Sequence, residues 1–171
     1  LRKLMYTENE IFLSTSSGSG LMEGAVRSCT AKRAAVFSIG AFGDRWFKMA
    51  QANNVPSDKF SVEPGQPTLP DEVDKVLSTG KYDLICITHN ETATGVTNPV
   101  EEISHVVKKY PEVIWCIDAV SSLGGVKIDV DNLGIDICIT STQKCLGLPP
   151  GMSLASVSEK AVANAEKVPY R

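Results

Sequence analysis

The sequence has 171 residues, of which 43% are hydrophobic and 22% charged, and its formal net charge is -3 at pH 7. This length and balance fit one globular domain and exclude a disordered, collagen-like or disulfide-stapled chain. Without a run of Lys and Arg or an apolar stretch of roughly 20 residues, neither nucleic acid nor a membrane is expected as a partner.

Short apolar segments alternate with helical patterns along the chain. Six segments are rich in Val and Ile and apolar on both faces, as expected of strands covered by helices on both sides: 11–13, 34–39, 83–88, 113–117, 135–140 and 153–157. Five segments have helical periodicity and caps: 21–32, 43–54, 70–78, 99–109 and 158–167. This alternation predicts an α/β fold, a three-layer sandwich with a mainly parallel sheet.

Two local patterns refine this prediction. Asn98 and Pro99, followed by two glutamates, predict a helix with Asn98 as the N-cap and Pro99 at the first position. The Pro- and Gly-rich stretch 63–70 predicts a surface loop between a strand and a helix. In a sheet of this kind, ligands bind at the carboxyl ends of the strands, so the residues that follow each strand are the candidates for function.

A run of small residues follows the first strand. Ser14 to Gly20 reads Ser-Thr-Ser-Ser-Gly-Ser-Gly, and a helical pattern begins at Leu21. Backbone N–H groups and the helix dipole at such a junction suit an anion, so Ser17, Gly18 and Ser19 predict a phosphate site. The loop matches neither common Gly-rich nucleotide motif, and an ordinary Ser-capped helix start is the alternative.

Two charged residues follow later strands. Asp118 ends the apolar segment 113–117, and a buried carboxylate there requires a cationic or metal partner, unless it is a helix cap or a structural salt bridge. Lys144 follows segment 135–140, where partial burial would free its amine as a nucleophile, although a solvated surface lysine is the alternative. Together, a phosphate site, a buried Asp and a buried Lys are the groups that hold pyridoxal 5'-phosphate (PLP) by its phosphate, ring nitrogen and aldehyde.

Five motifs resemble those of the class V aminotransferases of PLP fold type I, and within them the alanine/serine–glyoxylate aminotransferase group. The resemblance covers nearly the whole chain, and Lys144 follows Asp118 at the spacing that this group leads us to expect. The motifs are 17–20 (SGSG), 40–46 (GAFGDRW), 89–96 (HNETATGV), 118–125 (DAVSSLGG) and 141–144 (STQK).

The resemblance implies contacts to the phosphate and to both faces of the ring. Ser17, Gly18 and Ser19 would hold the phosphate, while Phe42 would stack on one face of the pyridine and Val120 would pack on the other. Two positions depart from the family pattern. Relatives often have Trp or Tyr at the position of Phe42, and His or Thr at the position of Ser19. Phe still offers a π-face, and the phosphate contact is largely through the backbone.

The resemblance also implies the polar and covalent contacts. Thr92 would hydrogen-bond near the ring O3', Asp118 would pair with the pyridine nitrogen, and Gln143 would flank Lys144, the Schiff-base lysine. Asp118 and Lys144 would be the catalytic pair. Two nearby residues stay open: His89 as a structural or a catalytic histidine, and Arg45 as a structural ion pair or a ligand for a carboxylate.

The activity implied is ping-pong amino transfer, through a Schiff base, from alanine or serine to a 2-oxo acid such as glyoxylate or pyruvate. The alternatives are a 2-aminoethylphosphonate–pyruvate transaminase, a desulfurase-like PLP enzyme, or a non-catalytic subunit or fragment that retains the fold. Family members have an N-terminal arm, a C-terminal small domain and a homodimer partner. We therefore expect residues 1–171 to be the large PLP-binding domain of a longer chain.

The five cysteines follow neither a metal-binding nor a disulfide pattern. Three of them, Cys86, Cys116 and Cys138, lie in apolar strand-like segments, and we interpret all five as reduced, buried small residues. This predicts a reducing compartment, the cytoplasm, with an organellar location left open because a targeting signal could precede Leu1. The spacing of His, Cys and acidic residues predicts no metal site.

Overall fold

The computed structural model describes residues 1–168, so the last three residues of the predicted domain lie outside the described part. The strands are β1 (Glu10–Ser14), β2 (Ala34–Ser38), β3 (Ser57–Ser61), β4 (Leu84–Thr88), β5 (Asn90–Glu91), β6 (Val96–Thr97), β7 (Ile114–Asp118), β8 (Ile137–Ser141) and β9 (Ser153–Val157). The helices are α1 (Arg2–Met5), α2 (Gly18–Cys29), α3 (Ala41–Ala52), α4 (Pro70–Leu77), α5 (Val100–Val107), α6 (Val130–Leu133) and α7 (Glu159–Ala165).

Seven strands form one sheet, in the order β1-β9-β8-β7-β4-β2-β3. Strands β3, β2, β4, β7 and β8 pair in parallel, whereas β9 is antiparallel to both β8 and β1. The direction of β1 is therefore that of β8. The carboxyl ends of β1, β2, β3, β4, β7 and β8 all lie at one edge of the sheet, which confirms the predicted mainly parallel α/β fold.

The two faces of the sheet are covered by different helices. Phe37, Ile87 and Ile117 pack in the cluster that contains residues of α4 and α5. Val36 and Cys116 point to the opposite face and pack in the cluster with residues of α2, α3 and α7. Every residue of β2, β4, β7 and β8 is buried, which explains their unbroken apolar sequences and confirms the predicted three layers.

The two edge strands differ from the sequence prediction. The first strand is not covered on both faces, because β1 is the outermost strand on one side of the sheet. Phe12 is 46% exposed and Leu13 is 57% exposed. On the other side of the sheet, the outermost strand is β3, which is not among the six predicted apolar segments because Asp58 and Lys59 interrupt its pattern. The predicted loop 63–70 implied a strand before it, and β3 is that strand. Edge strands commonly carry charged residues, so a search for apolar runs misses them.

Asn98 does not cap α5, contrary to the sequence prediction. The helix begins at Val100 with Pro99 as its N-cap residue. Asn98 is buried instead, and its side chain donates to the carbonyl of Thr88 at 2.8 Å and accepts from the N–H of Thr68 at 2.8 Å. It therefore ties the end of β4 to the otherwise largely exposed loop 63–70.

All five cysteines are free thiols. Cys29, Cys86, Cys116 and Cys138 are buried as predicted, and burial raises the pKa of Cys29 and of Cys138 to about 12. Cys145 is exposed, so its predicted burial is wrong. Within residues 1–168, no helix combines the length and the apolar character that crossing a membrane requires.

Asp83, just before β4, holds together the turn that leads into β2. Its carboxylate accepts hydrogen bonds from the N–H groups of Ala31, Lys32 and Arg33 at 2.8, 2.7 and 3.0 Å. We expect Asp83→Asn to lower the free energy of unfolding by about 2 kcal/mol, because the amide cannot accept at both ends and hydrogen bonds to a charged group contribute about 1.5–3 kcal/mol.

Urea unfolding followed by circular dichroism measures this loss. Asp71→Asn, in the exposed first turn of α4, is the matched control and should cost less than about 1 kcal/mol. Equal losses in the two variants would show that the Asp83 contacts do not stabilise the turn.

Candidate active site

The strand register brings the ends of several strands side by side. Thr88, the last residue of β4, pairs with Asp118, the last residue of β7. Ser14 of β1 and Ser141 of β8 both pair with Ser153 of β9. The loops that follow these strands are therefore neighbours at one edge of the sheet, where ligands bind in folds of this kind.

Asp118 is a buried carboxylate at this edge, as the sequence predicts. It is 4% exposed, and its Oδ1 accepts a hydrogen bond from the N–H of Val120 at 2.9 Å. Burial raises the pKa of Asp118 to about 6; repulsion from Glu91 adds to the increase, while the Val120 N–H and the charge of Arg45 oppose it. Among the described residues, no cation lies within ion-pairing distance, so this carboxylate still lacks the positive partner that a buried charge requires.

The predicted phosphate loop opens a helix on the same side of the sheet. Helix α2 begins at Gly18 with Ser17 as its N-cap residue, three residues before the predicted start. The N–H groups of Gly18 and Ser19 thus lie in the first turn, where they have no partner within the helix. A methyl group on Gly18 would lie 2.5 Å from Val120 Cγ2, so glycine is what allows the loop to approach the residues after β7.

Phe42 and Arg45 connect a second helix to this loop. Phe42 lies in the first turn of α3, and the Arg45 guanidinium lies 4.8 Å from the centroid of its ring. Arg45 Nη1 also donates to Ser19 Oγ at 2.8 Å. In the described part of the chain, Arg45 forms no ion pair with a carboxylate, so the structural ion pair considered for it is wrong. The guanidinium instead joins the predicted stacking ring to the predicted phosphate loop.

Lys144 and Gln143 follow β8 and are both exposed. The predicted partial burial of Lys144 is therefore wrong, because the residue lies in a turn beyond the end of the strand rather than against the sheet. Its neighbour Cys145 donates from Sγ to the carbonyl of Ser121 at 3.2 Å. This contact packs the loop that carries Lys144 on the loop that follows Asp118.

The segment after β4 contains a residue that sequence reasoning missed. Thr92 is exposed, in the turn between β5 and β6, whereas Glu91 is completely buried. Glu91 accepts hydrogen bonds from the N–H groups of Phe42 and Gly43 with Oε2, and from that of Ala93 with Oε1. The only signal in the sequence was its place within the motif 89–96.

His89 forms hydrogen bonds between two segments at the same edge of the sheet. The residue is 6% exposed, its Nδ1 lies 2.8 Å from Ser122 Oγ, and burial lowers its pKa. The N–H of His89 donates to the carbonyl of Asp118 at 2.9 Å. The histidine thus links the segments after β4 and β7, which favours a structural role.

The donor set at this edge fits PLP. A protonated pyridine nitrogen would supply the cation that Asp118 lacks. The N–H groups of Gly18 and Ser19 have no partner within α2 and could donate to a phosphate. The hydroxyls of Thr88 and Ser141 are buried at the strand ends without a hydrogen-bond partner in the described residues. Within residues 1–168, no group of three His, Cys, Asp or Glu side chains could hold a metal ion.

Comparison with known proteins identifies the family of this arrangement. The family model "Aminotransferase class-V" matches residues 26–170. An uncharacterized aminotransferase of Methanocaldococcus jannaschii is 41% identical over 166 residues, which are 94% of this chain and 42% of that protein. A protein named as the small subunit of a soluble hydrogenase, from a Synechococcus species, is 35% identical over 94% of this chain and 43% of its own length.

Two further proteins carry specific activities in their names. A serine–glyoxylate aminotransferase of Methylorubrum extorquens is 32% identical over 94% of this chain and 41% of its own length. The crystal structure of an alanine–glyoxylate aminotransferase from a Nostoc species matches with a TM-score of 0.91 and 27% identity, covering 98% of this chain and 45% of that one. The chain spans less than half the length of each of these relatives.

The raised pKa of Asp118 predicts a pH dependence of stability. Between its ordinary pKa of 3.8 and the folded value of about 6, the folded protein binds one more proton than the unfolded chain, so this group makes the protein less stable as the pH rises. Asp118→Asn removes the effect. With no PLP added, we expect the variant to gain about 2 kcal/mol over wild type between pH 4 and pH 8.

Urea unfolding at the two pH values measures this gain, and Asp71→Asn controls for the loss of one exposed charge. A difference between Asp118→Asn and wild type that is the same at pH 4 and pH 8 would contradict the raised pKa.

Proposed function

The chain belongs to the class V aminotransferase family, and we propose that residues 1–171 are the large PLP-binding domain of an alanine/serine–glyoxylate-type aminotransferase. One observation carries the proposal: the buried carboxylate of Asp118, which has no cationic partner among residues 1–168, accepts from the N–H of Val120, and Val120 contacts the helix start at Gly18. A cation and an anion held in one small ligand would satisfy both features. PLP, with a protonated ring nitrogen and a phosphate, is such a ligand.

Asp118 would control the electronic state of the cofactor. An opposite charge at about 4 Å contributes roughly 4 kcal/mol at an effective dielectric constant of 20, so an ionised Asp118 would keep the pyridine nitrogen protonated. The bound cofactor supplies an electron sink for the carbanion formed when the substrate loses its Cα proton. The nearby cation would in turn lower the pKa of Asp118 and keep the carboxylate ionised at neutral pH.

The remaining contacts would fix the plane and the position of the ring. Ser17, Gly18 and Ser19 would bind the phosphate through the first turn of α2. Phe42 and Val120 would exclude water from the two faces of the ring. These roles are supported by the contacts of Val120 with Gly18, and of Arg45 with both Ser19 and Phe42.

The polar residues on the neighbouring loops would complete the site. Thr92 would donate near O3', and Gln143 would flank Lys144. Lys144 would anchor the cofactor covalently and, once released by the amino donor, would carry the proton between the substrate Cα and the cofactor. The packing of its loop on the segment after Asp118 supports this assignment.

The names of the relatives support the choice of substrates. The serine–glyoxylate and alanine–glyoxylate aminotransferases among them suggest alanine or serine as the amino donor, and glyoxylate or pyruvate as the 2-oxo acid acceptor.

We also propose that the whole protein works as a homodimer. The free cysteines support a cytoplasmic location.

Lys144→Ala tests the covalent anchor. Wild-type protein mixed with PLP should develop the visible absorbance of PLP joined to a lysine, and alanine or serine should bleach it. The variant should show neither change, because no other amine occupies the position of Lys144. Identical spectra for the two proteins would contradict the assignment, and a wild-type band that no amino donor alters would favour a binding subunit over an enzyme.

Gly18→Ala tests the phosphate site. The added methyl group would lie 2.5 Å from Val120 Cγ2 and would force the loop or Val120 to move. We expect PLP affinity to fall at least tenfold, which corresponds to about 1.4 kcal/mol. Quenching of tryptophan fluorescence in a PLP titration measures this loss.

Gly24→Ala is the matched control, since it lies in the same helix and its methyl group would meet nothing within 4 Å. This variant should keep its PLP affinity and gain slightly in stability, because alanine favours the interior of a helix. Equal PLP affinities for the two variants would rule out the proposed phosphate site at Gly18.

A further inference from the structure

Glu91 is a buried carboxylate outside the set of proposed cofactor contacts. Its side chain is 0% exposed, and Oε2 accepts from the N–H groups of Phe42 at 2.8 Å and Gly43 at 3.2 Å. Oε1 accepts from the N–H of Ala93 at 3.1 Å. We propose that Glu91 is a positioning residue that fixes Phe42 for stacking on the cofactor, an inference that rests on the proposed function.

Helix α3 has no cap of its own at this end. Its N-cap residue is Gly40, which has no side chain to accept from the first N–H groups of the helix. Glu91, which lies 49 residues from Phe42 in the sequence, supplies the missing acceptor. Its negative charge also interacts favourably with the positive end of the helix dipole.

The glycine at position 40 makes room for this arrangement. A methyl group there would lie 2.6 Å from Glu91 Cγ and 2.8 Å from Cδ. The carboxylate can therefore reach the helix only because the N-cap residue has no Cβ. Gly40 and Glu91 belong to two separate motifs of the sequence, and this contact is a physical reason for their joint presence.

The hydrogen bonds of Glu91 hold Phe42, the residue that would stack on the cofactor ring. The N–H of Phe42 is itself a donor to Glu91, so the backbone from which the aromatic ring projects is held directly. On the side-chain end, the Arg45 guanidinium lies over the same ring and is tied to Ser19. The bond from Ala93 to Oε1 holds the turn that carries Thr92, so one carboxylate links the positions of two proposed cofactor contacts.

A double-mutant cycle on PLP affinity tests the proposal. Wild type, Glu91→Gln, Phe42→Ala and the double variant are titrated with PLP, and Glu63→Gln, an exposed loop substitution, is the matched control. We expect Glu91→Gln to weaken binding about tenfold in wild type and less than about threefold in the Phe42→Ala background. The control should bind like wild type.

Amide hydrogen exchange without PLP provides a readout that does not depend on the cofactor. In Glu91→Gln either the Phe42 and Gly43 amides or the Ala93 amide should exchange faster than in wild type, because one amide oxygen cannot replace both carboxylate oxygens. Glu63→Gln should leave all three rates unchanged. If Glu91→Gln fails to fold, Glu91→Asp, which keeps the charge but withdraws it by one methylene, takes its place in both measurements.

The outcomes separate this inference from the proposed function. Losses of PLP affinity that are equal in the two backgrounds, or unchanged exchange at all three of Phe42, Gly43 and Ala93, would overturn the role of Glu91 while leaving PLP binding intact. A wild-type protein that binds no PLP would instead overturn the proposed function, and this inference with it.

Discussion

The proposed site depends on one buried carboxylate, that of Asp118, which requires a positive partner. Asp118 ends a strand that is buried on both faces, and burial raises its pKa to about 6. In water the same group would be ionised well below neutral pH, so the protein keeps it at a cost in stability. Such a cost is expected where a ligand compensates it, and perturbed carboxylates in folded proteins often mark functional sites.

The fold brings the other groups to this carboxylate. In a strand, alternate side chains share a face, so Asp118 lies on the face of Cys116, which α2 and α3 cover. The first turns of these two helices carry the proposed phosphate site and Phe42. Because the same edge holds the ends of β4 and β8, the segments with Glu91 and Lys144 also arrive there. A parallel sheet thus assembles one site from five distant parts of the sequence.

The sequence predicts the parts of the structure whose signal is local. The inner strands are unbroken apolar runs because both faces are covered, and the Asp118 burial follows from its place after such a run. Other features depend on distant partners. Asn98 has the local pattern of a helix cap, yet its side chain bonds to Thr68 and Thr88. The role of Glu91 could not be recognised from the sequence, since its partners at the start of α3 lie 48 and 49 residues away. The exposure of Lys144 could not be predicted either, because it depends on a loop that has no regular pattern.

Chemical trapping is the most direct test of whether these groups converge on one ligand. The protein is incubated with PLP and reduced with borohydride, and the modified lysine is located by peptide mass mapping. The account predicts one phosphopyridoxyl group per chain, on Lys144, and loss of this label when free phosphate competes for the anion site. Label spread over exposed lysines such as Lys32 and Lys81, with Lys144 no more modified than the others, would contradict it.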